Sequence, residues 1–278
     1  MSTSPINPRH LTVDGVRIRY AESEPNGEHG LLLSPWPESM YAFEPIWSRL
    51  AREHHLVAVD LPGFGGSESR PDLFTPSAMG DFLVGVLDKL ALDRVHVVGP
   101  DIGTSAALFA AAAAPERFQS ILIGSGGSSV PLELGEPLTT WVAATDLTPY
   151  QDGRSIIEFV LENIFPASPL PEHVREDYLA SYDGTRFAES MAYVRSYPTE
   201  LVTLRDRLPD IHTPVRLIAG RDDTAIPPSN AEFLADRLPK AKLDIVDAGH
   251  FVWEQNPAAY VTHVLDWWAE HRSERQDG

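Results

Sequence analysis

The sequence predicts an α/β protein: a mostly parallel central sheet with helices on both faces and a helical cap inserted between two strands. Three observations predict it. Short apolar runs that end in turn residues alternate with helical patterns, as buried strands and their crossover helices do. The first two runs flank an Asp-Gly pair, which gives the sheet an antiparallel start. One long stretch carries no buried strand at all.

In chain order, residues 10–20 (HLTVDGVRIRY) alternate apolar and polar side chains around Asp14-Gly15 and read as a β-hairpin. Residues 31–33 and 56–59 read as buried strands, with a helix over 40–53 between them. Thr75-Pro76 opens the next helix, the threonine as cap and the proline in the first turn. Its apolar residues Met79, Phe82, Leu83, Val86, Leu87 and Leu90 recur at helical spacing and leave one face to bury. Strands follow at 95–98, 120–124, 215–219 and 242–246, and a helix over 257–271 closes the chain. Trp47 and Trp267-Trp268 are expected to pack helices against the sheet. Residues 128–209 hold several helical patterns, many prolines and five of the eight tyrosines. They read as a helical cap over a core built from 1–127 and 210–278. Ligands in open α/β sheets bind outside the carboxyl ends of the strands, so such a cap would act as a lid.

Of the 278 residues, 43% are hydrophobic, enough for a sizeable core. The formal net charge of −18 repels phosphate backbones and anionic lipid, so neither nucleic acid nor a membrane surface is an expected partner. The absence of cysteine excludes disulfides, thiolate catalysis and cysteine-ligated zinc. The start, MSTSPINPRH, lacks a signal-peptide pattern, and no apolar stretch approaches the ~20 residues of a membrane span. A soluble, cytoplasmic protein is expected. The His-His and Asp-Asp pairs lack metal-ligand spacing, so no metal and no cofactor are implied.

The chemistry concentrates in VHVVGPDIGTSAALFAAAAAP, residues 95–115. A strand runs through Gly99-Pro100-Asp101-Ile102-Gly103 into an alanine-rich helix. Strand, Gly-x-nucleophile-x-Gly, helix is the elbow pattern, in which small residues admit a sharp, strained turn. That turn raises the central side chain at the end of the sheet, beside the free N–H groups of a helix start. Asp101 could instead be a plain helix cap. Its downstream partners favour the elbow: LIAGRDDTAIPP sets Asp222 and Asp223 after a buried strand, and DIVDAGHFVWEQNP sets His250 after the next. Nucleophile, acid, then histidine is the order this architecture uses.

On these motifs, together with DLPGFGGSE at 60–68, the sequence resembles the α/β-hydrolase superfamily along nearly its whole length. It most resembles the aspartate-nucleophile branch, which includes epoxide hydrolases and haloalkane dehalogenases. The resemblance implies Asp101 as nucleophile, His250 as general base and Asp223 as the acid that orients it. Asp223 is preferred to Asp222 on the family's Gly-x-x-Asp spacing from Gly220. The family's His-Gly-x-Pro appears here as Ser34-Pro35-Trp36-Pro37, a departure in its first two residues. Position x still offers the backbone N–H of Trp36, which with that of Ile102 would form an oxyanion hole; a cis bond before Pro37 is implied as well.

A carboxylate is a poor acyl-transfer nucleophile, because its product would be an anhydride, but it can displace a leaving group at saturated carbon. The resulting ester would be cleaved by water activated at His250. Family dehalogenases commonly hold the halide with a tryptophan after the nucleophile and an asparagine at position x. Here those positions are Ile102 and Trp36, whose indole serves only if it points inward. Family epoxide hydrolases use cap tyrosines as proton donors, and this cap offers Tyr150, Tyr178, Tyr182, Tyr193 and Tyr197. Tyr193 matches the second of the family pair by position and Tyr150 is the candidate for the first.

The expectation is therefore a cofactor-free epoxide hydrolase acting on a small apolar or aromatic molecule. A haloalkane or haloacid dehalogenase using the same ester is the alternative. A non-hydrolytic ligand-binding protein that keeps the pocket is the reading from another class. A homodimer is compatible with the sequence but is not read from it. His54, His55, His96, His173, His212 and His263 lack partners at recognisable spacing and are expected to be structural.

Overall fold

The computed structural model describes residues 5–164 and 170–272. The hairpin pairs β1 (Arg9–Val13) with β2 (Val16–Glu22), and Asp14 and Gly15 at its tip both take positive φ, 46° and 79°. This is the turn hand that matches strand twist. Six more strands follow: β3 (Glu28–Leu33), β4 (His54–Val59), β5 (Val95–Pro100), β6 (Phe118–Gly124), β7 (Val215–Gly220) and β8 (Ala241–Val246). Their order across the sheet is β1-β2-β4-β3-β5-β6-β7-β8. The β1–β2 and β2–β4 pairs are antiparallel and the rest parallel. Every residue of β4, β5, β6 and β7 is buried, which is why these runs are continuous rather than alternating.

The helix expected over 40–53 is two pieces, a 3-10 turn at Met40–Phe43 and α1 (Glu44–Leu50). Pro45 has no N–H to continue the first piece and is tolerated only in the opening turn of a new helix. Next come α2 (Pro76–Lys89) and α3 (Ile102–Ala113). Between β6 and β7 lie α4 (Leu138–Ala143), α5 (Gly153–Asn163), α6 (Glu172–Ser181), α7 (Arg186–Arg195) and α8 (Tyr197–Arg207), with no strand among the described residues. The chain then forms α9 (Ser229–Ala235), α10 (Val252–Gln255) and α11 (Pro257–Glu270).

One apolar core packs α2, α3, α8, α9 and the inserted helices against one face of the sheet, and a second packs α1, α10 and α11 against the other. Trp47 and Trp268 lie in the second core, as does Trp267, whose indole N–H donates to the Ile121 carbonyl at 3.0 Å. No helix among the described residues is long and apolar enough to cross a membrane.

The topology fixes where a site can form. After β3 the chain adds β4 on one side, then crosses to add β5 on the other. The loops leaving β3 and β5 therefore diverge, and the crevice between them opens at the carboxyl ends of the strands. The inserted helices lie over that end. Arg186 of α7 donates to the carbonyls of Gly65 and Ser67 at 2.8 and 2.9 Å, and Arg19 of β2 donates to Asp177 of α6 at 2.9 Å.

Thr75 caps α2 by accepting from the Ala78 N–H at 3.2 Å. Thr75→Ala is expected to cost about 1 kcal/mol of stability in urea unfolding, with an unchanged slope. A variant as stable as the parent would show that the cap contributes nothing.

Candidate active site

The crevice is built around one turn. β5 ends at Pro100 and α3 starts at Ile102, so Asp101 alone makes the corner, with φ 53° and ψ −120°. A side-chain-bearing residue in that region carries on the order of 1–3 kcal/mol of strain. Hydrogen bonds to the next strand over-determine it: the Asp101 N–H and the Thr104 hydroxyl both donate to the Gly124 carbonyl, at 2.9 and 3.1 Å. Packing closes it: a Cβ on Gly99 would lie 2.9 Å from the Gly103 carbonyl oxygen. Asp101 stands at the cap position of α3, yet its side chain makes no cap hydrogen bond. Its carboxyl group is turned elsewhere.

It meets His250. Nε2 of His250 lies 3.9 Å from Oδ2 of Asp101, and Nδ1 lies 2.9 Å from Oδ2 of Asp223. Asp223 is buried at the end of β7, and its Oδ1 accepts from the backbone N–H groups of Ala225 and Ile226 at 3.0 and 2.8 Å. Neighbouring Asp222 is exposed and takes no part. The backbone N–H groups of Trp36 and Ile102 act on the Asp101 carboxyl. The Trp36–Pro37 peptide is cis.

The charges here are held out of water. Burial pushes Asp101 up to about 7, against His250 and the two N–H groups that favour its ionised form; Asp223 adds to the rise. Burial alone would lower His250, but the charge and hydrogen bond of Asp223, with the charge of Asp101, outweigh it and raise the imidazole above its ordinary value. Near neutral pH the carboxyl and the imidazole therefore compete for one proton.

Above Asp101 is a small cavity of about 30 Å³, lined by Trp36, Pro37, Trp141, His250, Phe251 and apolar side chains of α4 and α5. Asp101 and His250 are the only titratable groups among its described lining residues. Aromatic rings build the wall: Trp36 stacks on Phe187 at 5.2 Å, and Trp141 meets both edge-on. No group of three or more His, Asp or Glu among the described residues is arranged to hold a metal ion.

The structure brings Asp101, His250, Asp223 and the N–H groups of Trp36 and Ile102 together. It does not bring the expected proton donors to the cavity. The Tyr193 hydroxyl donates to the Ile102 carbonyl at 3.0 Å and lies 3.2 Å from Ser105 Oγ. The tyrosine braces the elbow helix, because its hydroxyl is spent on the first turn of α3. Tyr150 is half-buried in a 3-10 turn with its ring 6.5 Å from Phe187 and does not line the cavity. Tyr178 donates to Glu254 and Tyr182 to the Glu38 carbonyl. The Trp36 indole N–H is engaged by Ser190 Oγ at 2.9 Å, so this ring supplies a surface and no donor. Trp141 and Phe187 were not singled out from the sequence; nothing at fixed spacing marks them, since their place depends on how the insertion folds.

A family model of the alpha/beta hydrolase fold matches residues 29–257. YugF, an uncharacterized hydrolase of Bacillus subtilis (strain 168), is 25% identical over 276 residues, covering 95% of this chain and 98% of its own. The solved structure of Cfl2 from Burkholderia cenocepacia is similar with a TM-score of 0.82 at 24% identity, covering 97% of both chains. That of the epoxide hydrolase VrEH1 from Vigna radiata gives 0.79 at 18% identity, covering 97% of this chain and all of its own. At such identities the structural likeness speaks to the fold.

The raised Asp101 carries a stability signature. A carboxyl that holds its proton more tightly when folded favours the fold at low pH. That contribution is lost as pH rises from its ordinary range through about 7. Asp101→Asn removes the buried charge and is expected to exceed the parent in stability by on the order of a few kcal/mol at about pH 8, with the gap closing towards about pH 4. Melting temperatures at both values check this; parallel curves would mean that Asp101 carries no such burden.

Proposed function

The chain belongs to the alpha/beta hydrolase fold family and is a hydrolase; from that premise we propose that it works through an alkyl ester on Asp101 and opens a small uncharged epoxide. The carrying observation is the elbow carboxylate itself, with His250 Nε2 at 3.9 Å and two backbone N–H groups upon it. An Asp101 oxygen attacks a ring carbon, the C–O bond breaks, and the ring oxygen leaves as an alkoxide that takes a proton from water. His250 then removes a proton from a second water, whose oxygen adds to the ester carbonyl carbon. The N–H groups of Trp36 and Ile102 hold the oxyanion until it collapses, releasing the diol and restoring the carboxylate, and the imidazolium returns its proton to the hydroxide left by the first water. Asp223, fixed by two backbone N–H groups, keeps His250 in the tautomer with Nε2 free and stabilises the imidazolium.

The leaving group follows from the donors present. A departing halide is stabilised by N–H groups converging on it. Position 102 carries isoleucine, and the Trp36 indole is spent on Ser190. Trp141 alone remains: it lines the cavity, and its indole N–H makes no hydrogen bond among the described residues. An epoxide brings its own ring strain and opens with a single donor, which Trp141 supplies. Haloalkane dehalogenation is the second reading, favoured by that same indole. Haloacids fit poorly, because no lysine or arginine among the described lining residues would balance their carboxylate.

His250→Gln is expected to stall at the ester and leave the mass of one substrate on the peptide that carries Asp101. Substrate consumed with that peptide unmodified would sink the covalent scheme. Uncharged terminal epoxides and alkyl halides, tested as a panel, separate the readings by product. Diol supports the first and free halide the second, while no turnover with either overturns both. Trp141→Phe keeps the wall and removes the donor, so alkylation of Asp101 is expected to slow about tenfold. An unchanged rate would remove Trp141 from the chemistry.

A further inference from the structure

Two buried carboxyl groups near the site have no part in the ester scheme. Glu38 follows the Trp36-Pro37 pair, and Glu254 lies in α10, four residues after His250. Neither has a cationic partner. Glu38 Oε1 accepts from the Trp253 indole N–H at 3.1 Å, and Glu254 Oε1 accepts from the Tyr178 hydroxyl at 2.9 Å. The second oxygen of each, Oε2, is buried with no donor among the described residues. The two side chains are hydrogen-bonding neighbours of one another. Two acceptors face each other and the donor between them is missing.

A single proton supplies it. With one group neutral, its O–H donates to the other carboxylate, both orphaned oxygens are satisfied, and one negative charge remains instead of two. With both ionised, like charges touch in a dry interior with nothing to offset them. The other groups acting on the pair do not help. Asp101 is acidic, Tyr178 and Tyr182 are neutral, and Asp177, which acts on Tyr178, is paired with Arg19.

The bonds around the pair connect three pieces of the site. Glu38 belongs to the loop that presents the Trp36 N–H, and Glu254 to the segment that carries His250. Tyr178 comes from α6 of the insertion, and Tyr182, just beyond α6, donates to the Glu38 carbonyl at 3.1 Å. We propose that Glu38 and Glu254 are positioning residues that share one proton, and that this proton holds the oxyanion loop, the histidine loop and α6 together. Burial raises both carboxyls, with mutual repulsion adding to the rise at Glu38, so the proton is retained at pH values where an exposed glutamate has lost it. Folded-state values above the ordinary carboxyl range make the contribution full at low pH and diminishing as pH rises.

Glu254→Gln tests this, because an amide N–H donates to Glu38 at every pH. Between about pH 5.5 and about pH 8.5 the parent is expected to lose roughly 3–6 °C more in melting temperature than the variant. Comparing the two curves cancels the similar slope that Asp101 contributes. Glu38→Gln is the second variant, should the first not fold, and is expected to behave alike. The C=O stretch of a protonated carboxyl, seen by infrared in the parent near neutral pH, should weaken in either variant. Glu254→Ala, which cannot donate, should not restore the alkaline stability. Equal pH slopes in parent and glutamine variants, or an unchanged carboxyl band, would overturn the shared proton. None of these readouts needs a substrate, so they stand or fall apart from the ester scheme. A last measurement does rest on that scheme: Glu254→Gln is expected to keep a larger share of its Asp101 alkylation rate at about pH 8.5 than the parent keeps, and an equal share would remove the positioning role.

Discussion

The site depends on one residue carrying two costs together. Asp101 holds a left-handed backbone that its Cβ disfavours, and a carboxyl that burial penalises. Neither would persist in a loose loop. The strand before it is buried throughout, and so is α3 from Ile102 to Ala111. This also explains the alanine run. A Cβ on Gly80 of α2 would lie 2.7 Å from the Cβ of Phe109, so the two helices approach as closely as small residues permit. Tight packing on both sides of the corner turns a local strain into a fixed geometry.

The same packing dictates the electrostatics around it. Asp101, Asp223, Glu38 and Glu254 are all buried or nearly so at this end of the sheet, with one imidazole among them. The half-buried guanidinium of Arg19 is taken up by Asp60 and Asp177. Charge in this region is therefore balanced by protons and backbone N–H groups, not by cations. Asp223 accepts from the Ala225 and Ile226 N–H groups and pairs with the imidazole. At Asp101 two N–H groups and the imidazole favour the ionised form, and burial still raises it. Protonation is thus a property of the whole cluster, and geometry alone would not reveal it.

What the sequence made legible was local. Gly99 and Gly103 mark the elbow because the turn cannot close around a Cβ, and that constraint spans five residues. Asp223 and His250 are legible because each follows a buried strand at a set distance, and the order of strands carries them to the same edge. The hairpin and the Thr75 cap are likewise written in neighbouring residues. The insertion was legible as helical but not in its contacts. Tyr193 carries the hydroxyl the expected chemistry wants, yet whether it faces a cavity or the Ile102 carbonyl depends on how α7 and α8 lie on α3. The Trp36 indole failed for a similar reason, since Ser190, 154 residues away, decides where its N–H goes. Trp141 lines the wall and Phe187 backs it through contacts of comparable range. Glu38 and Glu254 gave no signal either, because a glutamate in sequence looks solvated until its neighbours close over it.

Anchoring and recognition fall on different helices of the insertion. α6 and α7 are tied to the sheet by polar contacts: Asp177 to Arg19 and Ser39, Arg186 to the Gly65 and Ser67 carbonyls, and Tyr178 to Glu254. α4 and α5 face the cavity with Leu138, Trp141 and Val160, and the described contacts there are apolar or aromatic. Directional bonds resist displacement, whereas apolar contacts tolerate exchange of shape at similar volume. The wall above Asp101 can therefore vary in outline without loosening the helices that hold the insertion in register, while a change at the anchors shifts the wall as a body. This division lets the corner at Asp101 stay fixed while the space above it is free to differ.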